Sequence, residues 1–293
     1  MENKIDQKHY EIYQETKAHS SPEFPYNIYV CSIPLDFPRV PLHWHNDMEL
    51  VVIKKGEGIV GVNLVSYEVE AGDVVFILPG QLHSITQKGK AVMEYENIIF
   101  KIDMLKSVGM DICDTQCIQP LFTGNLDLQP LMNKKCNYYA AVVPLIEQID
   151  RMCNVRPVGY QLAVKGFLFQ IFFQIITNTS VHSLHAGRIK SLDKVKQVLA
   201  YIEENYSRPI TIEEIAQVCH YSKSHFMKFF KENMGMGFIQ YLNEHRLEVA
   251  SQMLLKTSDN ILDIAEKTGF ENLSYFNRMF KRKYGVTPGQ FRK

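Results

Sequence analysis

"IEEIAQVCHYSKSHFMKFFKENMG" (Ile212–Gly235) and "ILDIAEKTGFENLSYFNRMFKRKYG" (Ile261–Gly285) are two versions of one pattern in a chain of 293 residues. Both read Ile-x-x-Ile-Ala, a short turn, Ser-aromatic-Phe (with His in the aromatic place of the first copy), then Phe-Lys and a closing Gly. Self-similarity at a period of about 50 residues means that one supersecondary unit is used twice. The repeat therefore decides the fold of this part of the chain.

Each copy predicts a short helix, a tight turn and a second helix. Thr211 and Ser222 stand where helix N-caps are expected. In each second helix one face is apolar and anchors it, while small and basic groups are left on the other face. The matched basic residues are Lys228 in the first copy and Arg278 in the second. A packed helical module with an ordinary charged surface is the alternative, but two such copies favour helices that enter a DNA major groove.

The charge distribution agrees with an anionic partner for this part of the chain. The whole protein has 32 Lys+Arg against 32 Asp+Glu, a net charge of zero. Residues 188–293, however, contain 17 basic residues and 12 acidic ones. A basic final third on a neutral protein indicates that DNA would be bound by that third alone.

The segment "DIAEKTGFENLSYFNRMFKRKYGVTPGQFR" (Asp263–Arg292) resembles the signature of the AraC/XylS family of bacterial transcription regulators. "FIQYLNEHRLEVASQMLL" (Phe238–Leu255) is similar to the long helix that connects the two units in that family. The resemblance implies a regulator, an activator rather than an enzyme, that binds double-stranded DNA and RNA polymerase as a homodimer. It implies base-reading by Ser224, Met227, Lys228, Leu273, Ser274, Asn277 and Arg278, and further DNA contacts by Lys223, Lys281, Arg282 and Lys283, with phosphates for the last three.

The first part of the chain is strand-like. Short runs rich in Val, Ile and Phe alternate with Gly, Pro and Asn from Tyr26 to about Phe100, which predicts a β-barrel or sandwich. "HWHNDMELVVIKKG" matches the first cupin motif, His-x-His-x3-Glu-x6-Gly. "GDVVFILPGQLH" matches the second in part, with its histidine one residue closer to the proline than usual. This region is therefore similar to a cupin barrel.

Three interpretations of the cupin residues remain open. A small-molecule effector, a sugar or related metabolite, would be bound by Tyr29, Arg39, His43, His45, Glu49, His83 and Tyr95. Alternatively, His43, His45, Glu49 and His83 would hold a divalent transition metal, in a metal-dependent enzyme or a metal sensor fused to a DNA-binding domain. His45 and Glu49 could also satisfy one another without any ligand. The effector pocket, with no cofactor, is the prediction adopted.

The expected fold class is multidomain β + α: a cupin-like β-barrel, a helical dimerisation segment and an all-α tandem helix-turn-helix domain. The predicted bounds are 1–130 for the arm and barrel, 131–178 for the dimerisation helices, 179–188 for a polar linker, and 189–293 for the DNA-binding domain. The most apolar run, "FLFQIFFQII" (Phe167–Ile176), is too short to span a bilayer. With six scattered cysteines and no signal-peptide pattern, the protein is expected to be cytoplasmic and without membrane contact.

Overall fold

The computed structural model describes residues 23–106, 111–119, 128–178 and 186–292, with side chains of residues 186–190 left out of the description. The predicted N-terminal arm before residue 23 lies outside these residues. The chain divides into two compact units between Ile189 and Lys190. Each unit is described by itself. Among the described residues, no helix combines the length and the hydrophobicity that crossing a membrane requires.

The first unit contains the predicted β-barrel. Its strands are β1 (Tyr26–Ile33), β2 (Arg39–His43), β3 (Met48–Val62), β4 (Val65–Glu70), β5 (Val74–Ile77), β6 (His83–Gln87), β7 (Met93–Phe100) and β8 (Leu131–Met132). One sheet has the order β1-β7-β3-β5-β8, and β2, β6 and β4 are joined through the second half of β3. All pairings are antiparallel. The 15-residue β3 therefore belongs to both halves of the barrel.

Side-chain alternation along the strands separates two apolar cores. Residues such as Cys31, Val51 and Tyr95 fill the barrel interior. Their strand neighbours, such as Leu50 and Ile98, point outward into a second core. Alternate residues of a strand lie on opposite faces, so the register of each strand decides which residues reach which core.

Helices α1 (Tyr139–Val155) and α2 (Tyr160–Asn178) cover the outer face of the first sheet. We expected one helix to cover the barrel and the other to form a subunit interface, but both contribute to the same core. Val142 and Ile146 of α1 and Leu168 and Phe172 of α2 are almost fully buried there. Each such side chain contributes about 1.5–3 kcal/mol through burial. A 3₁₀ helix (Ile102–Leu105) and a π-helix (Asp114–Ile118) also pack into this core.

Two predicted segments have a different structure. Residues 131–132, which we assigned to the helical dimerisation segment, form β8 and pair with β5, because Met132 is needed in the outer core. Of the predicted linker, residues 179–185 lie outside the described residues, and residues 186–188 already form the first turn of a helix.

The second unit is all helical. Its helices are α3 (Ala186–Asn205), α4 (Ile212–Val218), α5 (Lys223–Met234), α6 (Phe238–Lys256), α7 (Ile261–Lys267), α8 (Leu273–Tyr284) and α9 (Pro288–Phe291). Thr211 caps α4 in a capping box with Glu214, and the Ser222 hydroxyl accepts from the backbone N–H of His225. Both predicted caps are therefore confirmed, as is the repeated helix-turn-helix architecture. Asn272 caps α8 in the same way.

Aromatic side chains anchor both repeats to the connecting helix α6. In the first repeat, Phe226 and Phe230 pack against each other and against Phe238 of α6 with ring centroids 5.6 Å apart. In the second, Phe276 and Phe280 are fully buried with Leu247 and Ala250 of α6. Each second helix thus presents its opposite face outward.

A buried guanidinium on the connecting helix α6 holds this helix against the segment that follows α3. Arg246, 8% exposed, donates from Nε to the Tyr206 carbonyl at 2.8 Å and from a terminal nitrogen to the Arg208 carbonyl at 2.7 Å. Gly269, in the turn between α7 and α8, has φ +82°, and a Cβ there would lie 2.4 Å from the Tyr206 carbonyl oxygen. Only glycine permits this approach.

Replacing this glycine should unfold the second unit at lower denaturant. Gly269→Ala adds a steric clash to a left-handed backbone and is expected to cost about 2–4 kcal/mol. Gly235→Ala is the matched control, because Gly235 has φ +70° but no atom within 4 Å of the place that a Cβ would occupy. It is expected to cost only about 1 kcal/mol. Urea unfolding followed by circular dichroism measures both, and equal losses would contradict the close approach at Gly269.

Candidate functional site

The outward face of α5 is polar and basic. Lys223, Ser224, Met227 and Lys228 are all exposed, as predicted from the repeat. Lys223 pairs with Glu213 of α4, and Lys228 lies 3.8 Å from Glu232. Ion pairs between groups this exposed stabilise the fold little, so both ammonium groups are available to an anionic ligand at small cost.

The matching face of α8 presents Ser274, Arg278, Lys281 and Arg282 to solvent, with Leu273 and Asn277 half-buried beside them. The Arg278 guanidinium lies 5.4 Å from the centroid of the Tyr275 ring, within cation–π range. The Tyr275 hydroxyl in turn accepts from the Asn243 amide of α6 at 3.2 Å. Arg278 is therefore exposed but held in position by a chain of contacts to the connecting helix.

Lys283 does not lie with the other predicted contact residues. Its ammonium is 2.7 Å from the Glu248 carboxylate and 3.0 Å from the Glu244 carbonyl, both on α6. Its side chain is 22% exposed. The last turn of α8 rests on α6, which draws Lys283 inward while Lys281 and Arg282 stay exposed. The structure thus gives Lys283 contacts within the unit, while its predicted phosphate contact stays a prediction.

Two aromatic residues belong to this surface although we did not predict them as site residues. Tyr275 positions Arg278, as described above. His225 occupies the equivalent place in the first repeat, is exposed, and stacks on Tyr221 with ring centroids 4.0 Å apart. The signal was present in the sequence, because Ser-aromatic-Phe is part of the repeat.

In the first unit, four predicted side chains form one buried cluster in the barrel. His43, His45, Glu49 and His83 are 0–4% exposed. The ring nitrogens available as ligands on the three histidines lie within 4.8 Å of one another. Glu49 Oε2 lies 2.8 Å from His45 Nε2 and 3.1 Å from His83 Nε2. His43 ends β2 and pairs with His83, whereas His45 reaches the cluster from the following turn rather than from the strand we expected.

The hydrogen-bond partners of this cluster leave it short of positive charge. The Nδ1 atoms of His43, His45 and His83 lie 2.9–3.1 Å from the backbone carbonyls of Pro41, Asp47 and Gln81. A carbonyl can only accept, so each Nδ1 must carry the hydrogen. In neutral rings, the Nε2 lone pairs of His45 and His83 then face the Glu49 carboxylate. A proton or a metal cation is needed between them, and the Nδ1 contacts are those that orient histidine ligands of metals.

The shifted pKa values of the cluster agree with a shortage of positive charge around Glu49. Burial, and then the neighbouring His83 and His45, hold the pKa of His43 well below its usual value. Burial by itself would raise the pKa of Glu49, but the charge of His83 and hydrogen bonds from His45 and His83 hold it well below its usual range. Glu49 is therefore a carboxylate, and His43 offers a neutral ring.

The other predicted effector residues lie further away. Arg39 is four residues before His43 on β2, and Tyr95 lies opposite Ile53, four residues after Glu49 on β3. Four strand residues span about 13 Å. Tyr29 is closer: it pairs with Asn97, which pairs with Val51, two residues after Glu49 on β3. Asn97 itself has a buried side-chain oxygen without a hydrogen-bond partner among the described residues, and it is a further candidate for contact with an effector. We did not predict it, although its alternation with Tyr95 could have shown that it faces inward.

Comparison with known proteins matches both units. The family described as a helix-turn-helix domain matches residues 215–293, and the family described as a cupin domain matches residues 30–99. The uncharacterized HTH-type transcriptional regulator YdeC of Bacillus subtilis (strain 168) is 22% identical over 281 residues, 96% of each chain. The HTH-type transcriptional activator RhaS of Mannheimia succiniciproducens is 26% identical over 86% of this chain and 89% of its own. The structure of ToxT from Vibrio cholerae is similar over 91% of this chain and 97% of its own, with 18% identity and a TM-score of 0.46.

Proposed function

Because the chain belongs to the AraC family of transcriptional regulators, with a cupin domain before its DNA-binding domain, we propose that α5 and α8 read two successive major-groove segments on one DNA face. The observation that carries this proposal is the pair of outward polar and basic helix faces, both anchored to α6. Helices of this kind read base edges with side chains near their N-terminal ends. The relatives support regulation of transcription rather than enzyme activity.

Arg278 is the residue that we expect to contribute most to specificity. Arginine donates two parallel hydrogen bonds to guanine in the major groove, and the Tyr275 ring holds the guanidinium ready for such a contact. Asn277 and Ser274 flank it, while Ser224, Met227 and Lys228 are the counterparts on α5. Lys281 and Arg282, at the other end of α8, are proposed as phosphate contacts.

We propose that the protein is a homodimeric activator, acting with RNA polymerase in the cytoplasm. Two relatives similar over most of this chain are named transcriptional activators, which supports that sign of regulation. For the dimer, the support is a stripe on α2 formed by Leu162, Phe169 and Phe173, which are 78%, 41% and 63% exposed. Their spacing of seven and four residues is that of helices which pair with a second copy of themselves.

The barrel cluster supports a divalent transition metal as a second candidate for what the cupin domain holds. Three imidazoles and one carboxylate suit iron, nickel, zinc or manganese. The three histidine nitrogens lie within 4.8 Å of one another, and Glu49 lies within 3.1 Å of two of them, those of His45 and His83. A bound metal would supply the missing positive charge and polarise an oxygen-containing effector. A sugar or related metabolite as that effector remains our prediction, with the unpartnered oxygen of Asn97 nearby as a further polar contact.

Arg278→Ala should lower affinity for the cognate DNA site by about 1–3 kcal/mol and relax specificity at one base pair. Lys281→Ala is the control: it should weaken binding to all sequences alike and reduce the salt dependence by about one phosphate contact. Fluorescence anisotropy with a cognate duplex and single-base variants, at several salt concentrations, measures both effects. If both variants lose affinity uniformly, Arg278 does not read a base.

His83→Ala should abolish stoichiometric metal in protein purified without added metal, because it removes a central ligand of the cluster. His225→Ala, which changes an exposed histidine in the other unit, should leave the metal content unchanged. Inductively coupled plasma mass spectrometry measures the metal in each preparation. Metal-free wild-type protein that also fails to take up added metal would contradict this candidate and favour a ligand-only sensor.

Phe173→Asp should convert the dimer to monomers, since it places a charge within the apolar stripe. Gln161→Asp adds the same charge at an exposed position of α2 away from the stripe and should leave the dimer intact. Light scattering after size-exclusion chromatography measures the mass of each variant. A monomeric wild type, or a dimeric Phe173→Asp variant, would show that α2 is not the interface.

A further inference from the structure

A cavity of about 540 Å³ lies outside the barrel interior, beside the edge strand β1 and the turn between α1 and α2. Tyr26, Val30 and Glu96 form its floor on the outer face of the sheet, where Val30 pairs with Glu96. Asp150 and Arg156 line it from α1 and its C-terminal end. The cavity is thus separate from the histidine cluster, which faces the interior.

Two acidic side chains meet at this cavity with one ammonium between them. Lys54 Nζ lies 2.5 Å from Glu96 Oε2 and 3.0 Å from Asp150 Oδ2. Glu96 is 7% exposed, so its charge is largely shielded from water. One lysine cannot neutralise two carboxylates. The other oxygen of Asp150 is buried, and a hydrogen bond between Asp150 and Glu96 means that the two acids share one proton. The buried Tyr26 hydroxyl has the Cys153 thiol as its neighbour.

Below about pH 7, a proton on Glu96 supplies the missing positive charge when nothing else is bound. Burial raises the pKa of Glu96 to about 7; Lys54 opposes this rise and the charge of Asp150 adds to it. The groups that face Glu96 are Lys54 from β3, Asp150 and Cys153 from α1, and Tyr26 from β1. A cation that displaces the shared proton would restore two ionised carboxylates.

We propose that this cavity binds a small molecule through an ammonium group that takes the place of the shared proton and donates to the carboxylates of Asp150 and Glu96. Besides the acid pair, the C-terminal end of α1 at Val155 provides partial negative charge. The rings of Phe24 and Tyr160, 5.8 Å apart, line the same cavity and suit the faces of an organic cation.

Two kinds of molecule carry this group, simple amines and amino acids. Arg156 distinguishes them, because its exposed guanidinium lines the cavity and would donate hydrogen bonds to the carboxylate of an amino acid. The proposal does not depend on the metal or on DNA binding, since every residue in it lies outside those sites.

The test is a thermal-shift screen of the full chain against amino acids, alkylamines and diamines, with the corresponding deaminated acids as negative controls. Isothermal titration calorimetry then gives the affinity of each hit. We expect ammonium compounds alone to bind, and to bind more weakly as the pH falls below about 7, where the proton competes for Glu96. Arg156→Met should weaken amino acids but not simple amines if amino acids are the natural class.

Asp150→Asn should reduce the affinity by about tenfold or more, because it removes a charged acceptor at nearly constant shape. Glu94→Gln is the matched control: it changes an acid on the same strand that pairs with Lys55 outside the cavity. Val30→Trp, which fills the cavity without changing charge, should also abolish binding. Circular dichroism verifies that each variant is folded. Absence of binding by every ammonium compound, or binding that survives both Asp150→Asn and Val30→Trp, would overturn the proposal.

Discussion

The arrangement of the DNA-binding unit depends on the buried guanidinium of Arg246. It holds the carbonyls of Tyr206 and Arg208, which follow α3, against the connecting helix α6. Gly269, from the turn of the second repeat, approaches the same carbonyl. A guanidinium removed from water is stable only when its donors are satisfied, so the two carbonyls must stay in place. One interaction thereby links α3, α6 and the second helix-turn-helix.

This rigidity has a functional consequence for α5 and α8. Both helices are anchored through aromatic side chains to α6, so neither can tilt without disturbing a packed core. If α5 and α8 read DNA as proposed, their fixed spacing would restrict binding to half-sites at the matching distance. The contact chain from Asn243 through Tyr275 to Arg278 extends the same order to a side chain on the exposed face.

The barrel unit contains two clusters of buried or partly buried charged groups. Glu49 and three histidines are enclosed at one place in the interior, and Glu96, Asp150 and Lys54 meet at another on the outer face. In the first cluster, neutral histidines leave the Glu49 carboxylate without a positively charged partner. In the second, one lysine faces two carboxylates. Since buried charge is costly unless compensated, both clusters are places where a cation would stabilise the unit. The two proposed ligand sites thus lie where buried charge is incompletely compensated.

Local patterns in the sequence were enough to predict the tandem repeat, its caps at Thr211 and Ser222, the strand-rich first unit and the grouping of His43, His45, Glu49 and His83. Each depends on spacing within one or two neighbouring elements, which the periodicity of helices and strands translates directly into geometry. Tertiary packing decided the rest. Lys283 turns inward because α8 rests on α6, and Lys54 meets Asp150 across 96 residues of chain. Such contacts depend on how whole elements pack, and no local sequence pattern predicts which residues far apart in the chain will meet.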